Sequence, residues 1–361
     1  MSKQNLAILF GGASTEHDVS RMSATSVIAN APRDRYNLVL IGITRDGRWL
    51  HYTGPEGDIL DGSWERGGHT APAFLSPDRG TRGLVVLQGD GYEIIPIDVV
   101  FPVLHGKNGE DGTVQGLLDL AGIPYVGCDL ISSANCMDKA VAKTLFTAAG
   151  IPNAKWVLAT AAHLGDLPAL QAQVTAELGY PCFVKPANSG SSVGVSKVEA
   201  PHELEAALRE ALRFDRKALI EEGLVGHEVE CAVMGNLDPI ASDVVGEIAP
   251  TNNFYDYQGK YLDDSTALYI PARIDETLAQ QVRSLAVRAY QAMGCSGLAR
   301  VDFFVLNTPG PQGSVILNEI NTLPGFTNIS MYPKLFIASG MSYRDIITAL
   351  INYALESERN G

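Results

Sequence analysis

The chain has 361 residues, 46% hydrophobic and 19% charged, a balance that supports buried cores in two or three domains and excludes a wholly disordered protein. A formal net charge of −14 argues against a nucleic-acid or anionic-membrane surface as the main partner, while leaving room for an anionic ligand in a local basic pocket. The apolar run in MSKQNLAILFGG is too short for a signal-peptide core, and no stretch reaches the ~20 apolar residues of a membrane span. Cys128, Cys136, Cys182, Cys231 and Cys295 are scattered and read as buried free thiols, which fits a reducing cytoplasm.

Residues 5–10, NLAILF, have the pattern of a buried parallel strand stopped by Gly11 and Gly12. A helix follows, with Ser14 or Thr15 as its cap and Val19, Met22 and Val27 among its apolar positions. Residues 37–44 and 97–106 read as further strands, and 113–127 as helix, turn and strand. This alternation points to a doubly wound parallel sheet. Residues 51–83, rich in Gly, Pro and Asp, read as a loop-rich excursion at one edge. A second unit begins near residue 130, with a helix at 138–152, a strand CFVKPAN, a Pro-started helix at 201–213 and a strand KALIEEGL. A third, from about 223, is strand-rich (HEVECAVMG, LARVDFFVL, SVILNEIN) and closes with a helix near 342–356. The boundaries expected are therefore 1–129, 130–222 and 223–361.

Side chains two apart in a strand share a face, so Arg300, Asp302 and Phe304 form one set and Leu317, Glu319 and Asn321 another. The Pro/Gly-rich NTPGPQGS between them suits an antiparallel hairpin. If Val305 or Leu306 pairs near Val315 or Ile316, Asp302 comes close to Glu319, and like charges directly opposite on a sheet are destabilising. Something positive then belongs between them. Two carboxylates and the Asn321 amide oxygen are hard ligands of the kind that hold Mg²⁺. The plainer alternative pairs Asp302 with Arg300 or a lysine and leaves Glu319 at a solvated strand end.

In FVKPANSGSSVGV, Lys185 ends a strand and a small-residue loop follows, where Gly190 and Gly194 admit close backbone approach and Ser189, Ser191 and Ser192 add donors. That is a phosphate-binding pattern, or else a flexible surface turn. In ALIEEGLVGHE, Glu221, Glu222 and Glu228 surround an apolar strand end; backbone groups from Glu221 to Leu224 could read an adenine edge and Glu228 a ribose, or each could be a solvated charge.

FGGASTEHDVS, HGKNGEDGTVQGLLDLAGIPYVG, MDK, VKPANSGSSVGVSKV, EEGLVGHEVECAV, FYDYQGKYLDD, GLARVDFFV and NEINTLPGFTNISMYP occur in the order and spacing of the D-alanine–D-alanine ligases, an ATP-grasp family that the chain resembles over nearly its whole length. The resemblance implies an α/β ATP-grasp fold, in which an N-terminal Rossmann-like parallel-sheet domain precedes two α+β subdomains that sandwich ATP. It implies a cytoplasmic ligase that makes D-alanyl-D-alanine for peptidoglycan through a D-alanyl phosphate, and a homodimer through the N-terminal unit. Its cofactor is Mg²⁺, two ions per site with Mn²⁺ as a substitute; a monovalent cation is left open. Carried over by motif, Lys139 and Lys185 contact phosphates, Glu221, Glu222, Leu224, Glu228 and Phe304 surround the nucleoside, and Asp302, Glu319 and Asn321 hold the metals. Glu16 takes the first D-alanine's ammonium, Arg300 and the Gly325 N–H stabilise the oxyanion, and Ser330 and Met331 clamp the second alanine's carboxylate. Ser191 and Tyr261 link the units together with Glu16, and Lys260 points to the γ-phosphate and substrate from a lid over 246–265. His105 is either beside the substrate or a structural imidazole. Lys107 stands where the family usually has Pro, which leaves the local turn open. Members that form D-alanyl-D-lactate commonly carry Phe at the Tyr261 position, so Tyr261 favours an amine acceptor. D-lactate or D-serine ligation, and a nucleotide-binding regulator that has lost the chemistry, are the alternatives.

Overall fold

The computed structural model describes residues 3–249 and 267–359. The first sheet contains β1 (Gln4–Gly11), β2 (Tyr36–Ile43), β3 (Trp49–Tyr52), β4 (Thr70–Leu75), β5 (Gly83–Gln88), β6 (Gly91–Pro96) and β7 (Val99–Pro102), in the order β6-β5-β4-β3-β2-β1-β7. Only β7-β1-β2 are parallel. The other four strands extend the sheet antiparallel, so the fully parallel sheet expected from sequence is a three-stranded core with an antiparallel wing. The stretch 51–83 is at the edge as expected, but it is built of strands and α2 (Gly57–Asp61) rather than loop. Alternation hid this, because β4 is only six residues long and Pro72 interrupts its pattern.

From Leu6 to Phe10, β1 is apolar because both of its faces are covered. Leu6, Ile8 and Phe10 face α1 (His17–Asn30), and Ala7 and Leu9 face α3 (Thr113–Ala121). The expected Ser14 or Thr15 cap is not used. Glu16 occupies the cap position of α1, while Ser14 Oγ accepts from the Glu16 N–H (3.1 Å) and donates to the His105 carbonyl (2.9 Å).

Two helices, α4 (Leu130–Met137) and α5 (Lys139–Ala148), lead out of this unit. Asp138 caps α5 by accepting from the Ala140 and Val141 N–H groups. The second sheet is antiparallel, in the order β10-β9-β11-β8, from β8 (Trp156–Thr160), β9 (Cys182–Pro186), β10 (Ser196–Val198) and β11 (Lys217–Glu222). It is packed by α6 (Leu167–Glu177) and α7 (Leu204–Ala211).

The third sheet is also antiparallel, in the order β15-β14-β12-β16-β17, with β13 (Ile240–Ala241) beside β12. Its strands are β12 (Gly226–Gly235), β14 (Gly246–Ala249), β15 (Ala267–Tyr269), β16 (Gly297–Gly310) and β17 (Gly313–Asn321). The lid expected over 246–265 therefore begins as strand, and its remainder, with Lys260 and Tyr261, lies outside the described residues. One face of the sheet packs on α8 (Glu276–Ala292). The chain ends in α9 (Met331–Ala338) and α10 (Tyr343–Arg359), and α10 crosses back to α1 and β7. Ile346, Ile347, Leu350 and Ile351 of α10 thus share one core with Leu6, Ile8 and Val99, bridged by Phe326, whose ring sits 5.9 Å from Phe101 and 5.6 Å from Tyr343. All five cysteines are buried and free. Among the described residues, no helix is long and apolar enough to cross a membrane.

β14 and β15 are joined by one buried acid. Glu247 accepts from the Arg273 backbone N–H (2.8 Å), from its Nε (3.0 Å) and Nη2 (2.6 Å), and from His227 Nδ1 (2.8 Å). The guanidinium lies 3.7 Å over the Tyr269 ring, and Tyr269 is opposite Glu247 in the ladder. Burial opposes ionisation, yet these donors hold the Glu247 carboxyl down to about 2. A depressed carboxylate contributes stability above its unfolded value and loses it as pH falls through the folded one. Glu247→Gln should therefore lower the melting temperature at pH 7, and the gap from wild type should close between about pH 4.5 and 2 in a calorimetric pH series.

Candidate active site

A cleft of about 780 Å³ is lined by all three sheet units. Its floor is a row of acids on the third sheet. β12, β16 and β17 place Glu230 opposite Asp302 and Asp302 opposite Glu319. Three like charges abreast need cations. Arg300 donates to both Asp302 oxygens (2.8 Å each) and its Nε lies 3.1 Å from Glu230 Oε1, while the Asn321 amide donates to Asp302 Oδ2 (2.8 Å). Lys139 Nζ approaches Glu319 at 3.5 Å from across the cleft. Asp302 is thus both paired with Arg300 and opposed to Glu319.

The register contains one surprise. Val305 faces Val315, Phe304 faces Ile316 and Phe303 faces Leu317; then Asp302 faces Glu319, leaving Asn318 as an extra residue. The β-bulge shifts the strand by one position. Leu317 and Ile320 are paired with Phe303 and Val301 in the core, whereas Glu319 and Asn321 are paired with Asp302 and Arg300 on the cleft side. Uninterrupted alternation would have put Glu319 on the core face with Leu317, so the expectation that Leu317, Glu319 and Asn321 share a face is corrected: Leu317 belongs to the opposite one. The bulge is what makes the Glu319 charge tolerable in an otherwise apolar run.

The opposite wall carries the lysines. Lys139, at the start of α5, also donates to the Ser189 carbonyl (2.8 Å), tying it to the Gly/Ser loop. Lys185 on β9 and Lys143 on α5 each form an ion pair with one oxygen of Glu221 on β11. Burial alone would raise the Glu221 carboxyl; the two lysines hold it below the usual carboxylate range. Glu222 also lines the cleft, but its Oε1 accepts from the Lys155 N–H (2.7 Å), which turns that side chain to the β8 edge. Leu224, Glu228 and Phe304 line the same end. Glu228 is directly opposite Phe304 in the ladder, so an acid and an aromatic ring lie side by side there.

The far end is built from the first unit. Glu16 is buried and its Oε1 accepts from Ser191 Oγ (2.5 Å), a bond between residues 175 apart in sequence. Gly106, at φ +69°, makes room for it, since a Cβ there would sit 2.1 Å from Glu16 Oε2. Ser191 and Ser192 hold φ of 50° and 57°, a conformation that costs free energy and recurs at ligand clamps. His105 has no side-chain atom to spare. Its Nδ1–H donates to the Leu323 carbonyl (2.8 Å), so Nε2 is the acceptor and takes the Ser23 hydroxyl proton (2.9 Å). Burial pushes its pKa below the usual value, which keeps it neutral. Ser23 Oγ accepts in turn from the Phe326 N–H (3.1 Å), and Glu110 accepts from the Gly106 (2.7 Å) and Leu323 (3.2 Å) N–H groups. Burial, and then the charge of Glu16, push Glu110 up to about 8. This network fixes the 323–326 turn and hence Gly325. Ser330, at the head of α9, is held by the Thr327 N–H (2.9 Å) with Met331 next to it.

Glu230, Lys143, Ser23 and Glu110 were not foreseen. Lys143 had a signal, being four residues after Lys139 and so on the same helix face. Glu230 had one too, two residues after Glu228 on one strand face.

Two antiparallel sheets closing lysines over an acid-floored, nucleotide-sized cleft, appended to a parallel α/β unit, make the ATP-grasp architecture. Family models described as "D-ala D-ala ligase N-terminus" and "D-ala D-ala ligase C-terminus" match residues 5–128 and 145–352. The chain is 49% identical over 359 residues to the D-alanine--D-alanine ligase of Thermoanaerobacter sp. (strain X514), covering 99% of this chain and 98% of that one. Among solved structures, the VanG D-Ala:D-Ser ligase from Enterococcus faecalis aligns with a TM-score of 0.88 at 42% identity, covering 98% of this chain and 100% of that one. The D-alanine-D-alanine ligase from Coxiella burnetii aligns at 0.83 and 34%, covering 99% and 97%. The chain belongs to the D-alanine–D-alanine ligase family, whose members use ATP and a divalent metal.

Deleting Asn318 removes the bulge but keeps Glu319 opposite Asp302 on the cleft face, because Glu319 then follows Leu317 directly in unbroken alternation. A denaturant titration should therefore show a loss well short of the ~3–5 kcal/mol that burying the charge would cost. Asn318→Ala keeps the extra residue and should change stability by less than about 1 kcal/mol.

Proposed function

We propose that the protein joins two D-alanines at the expense of ATP, through a D-alanyl phosphate, to give D-alanyl-D-alanine for peptidoglycan. The observation that carries this reading is the bulged hairpin that sets Asp302 and Glu319 side by side, facing Lys139 across the cleft. Asp302, Glu319 and Asn321 are hard oxygen donors, few enough to leave places for water and phosphate, which suits Mg²⁺ or Mn²⁺. Bound there, the metal supplies charge neutralisation of the phosphate oxygens. Lys139 and Lys185 orient the phosphates, the Glu221–Leu224 backbone takes adenine, Phe304 packs beside it and Glu228 takes ribose.

Glu16 is placed to hold the ammonium of the first D-alanine. The phosphorylated carboxyl then lies towards Arg300, whose orientation Asp302 and Glu230 fix in advance. When the second amine attacks, charge develops on the carbonyl oxygen, and Arg300 and the Gly325 N–H stabilise it in a preorganised site. The head of α9 offers Met331 and Ser330 to the second carboxylate, where the helix dipole favours an anion. Lys260 and Tyr261 belong to the segment expected to exclude water from the acyl phosphate. Tyr261, in place of Phe, supports an amine acceptor. His105 acts by positioning the 323–326 turn. The functional division into 1–129, 130–222 and 223–361, and a cytoplasmic location, are part of the same proposal.

A homodimer through the first unit is supported by an uncovered apolar face of the antiparallel wing. Phe74 is paired with Val85, Val85 with Ile94 and Leu87 with Tyr92, so these side chains share one face, and Tyr92 is 69% exposed. A second copy of the same chain would cover it.

Incubated with ATP, Mg²⁺ and D-alanine, the protein should release phosphate and yield D-alanyl-D-alanine by mass spectrometry. Exclusive D-alanyl-D-serine or D-alanyl-D-lactate formation in a mixture of acceptors would overturn the assignment. Arg300→Met should lower kcat about 10²–10³-fold, and Glu319→Gln should raise the KM for Mg-ATP and lower turnover with an unchanged melting temperature. In sedimentation equilibrium, Tyr92→Glu should convert the dimer to a monomer.

A further inference from the structure

Lys143 is 1% exposed and does not line the cleft, yet it shares Glu221 with Lys185, which does. The arrangement follows from two periodicities. On α5, Lys139 and Lys143 are one turn apart on one face; Lys139 reaches the cleft and Lys143 lies deeper. On the second sheet, Lys185 is opposite Leu219, so Glu221, two residues on, is its diagonal neighbour. Each Glu221 oxygen is therefore ion-paired with one ammonium.

Two cations on one buried carboxylate leave one positive charge in excess. With Lys185 alone, Glu221 would form a neutral pair, and moving Lys185 towards a ligand would strand a buried carboxylate, a strongly unfavourable step. With Lys143 in place, the carboxylate stays compensated while Lys185 turns to a polyanion. We propose that Lys143 is a positioning residue for nucleotide binding: it holds the Glu221 charge so that Lys185 is free to engage phosphate. This inference rests on the assignment of Lys185 to the phosphates of ATP.

The test is calorimetric titration of the full-length protein with ATP, ADP and adenosine, in the absence of D-alanine. Lys143→Met should weaken ATP and ADP about tenfold or more while leaving adenosine within about twofold. The double variant Lys143→Met with Glu221→Gln should regain most of the lost ATP affinity, because no carboxylate remains to capture Lys185, and Lys143→Arg should bind ATP like wild type. Unchanged ATP affinity in Lys143→Met, equal losses for ATP and adenosine, or no rescue in the double variant would each overturn the inference. If Lys143→Met does not fold, Glu221→Gln is compared with and without Lys143; equal ATP affinity supports the inference and a further loss overturns it. Lys185→Met separates the two levels. Wild-type ATP affinity in that variant would remove the phosphate role of Lys185 itself, whereas weakened binding there, with none in Lys143→Met, would defeat the Lys143 inference alone.

Discussion

The molecule is organised around a repulsion. Glu230, Asp302 and Glu319 lie abreast on three adjacent strands, an arrangement that a sheet tolerates only with cations in reach. Arg300 supplies one from the same strand, with its fork on Asp302 and its Nε on Glu230. Lys139 supplies the other from across the cleft. The second wall is thus drawn to the first by opposite charges that both line the cleft.

Charge placement here depends on backbone irregularities more than on regular elements. One unpaired residue, Asn318, moves Glu319 from the core face to the cleft. One glycine, Gly106, gives Glu16 the space its carboxylate occupies. Two serines in left-handed conformation shape the loop that reaches Glu16. Each is a local cost that the surrounding regular structure holds in place. The network through Ser23, His105 and Glu110 does the same for the turn carrying Gly325, and it draws on α1, the 105–110 turn and the segment after β17.

What the sequence made legible follows from range. Strands of continuous apolar residues such as NLAILF, the α5 helix, and the hairpin that brings Val305 or Leu306 near Val315 or Ile316 depend on near neighbours and were readable. The motifs carried the family and most of the cleft residues with them. The antiparallel wing was missed because β4 is short and interrupted by Pro72, and β6 is exposed on both faces, with no buried alternation to see. The bulge was missed because period-two reasoning has no term for an extra residue. Glu230 and Lys143 escaped because their significance lies in partners on other elements: Asp302 lies 72 positions away from Glu230, and Glu221 lies 78 from Lys143.

The return of α10 to the first sheet bears on how the chain is made. Ile346, Ile347, Leu350 and Ile351 close the underside of a sheet whose strands lie within the first 102 residues. During synthesis those strands leave the ribosome long before their cover, so a broad oily surface stays wet until the final helix emerges. A truncated product lacking α10 would carry that surface permanently and invite aggregation, even though every residue lining the cleft had been translated.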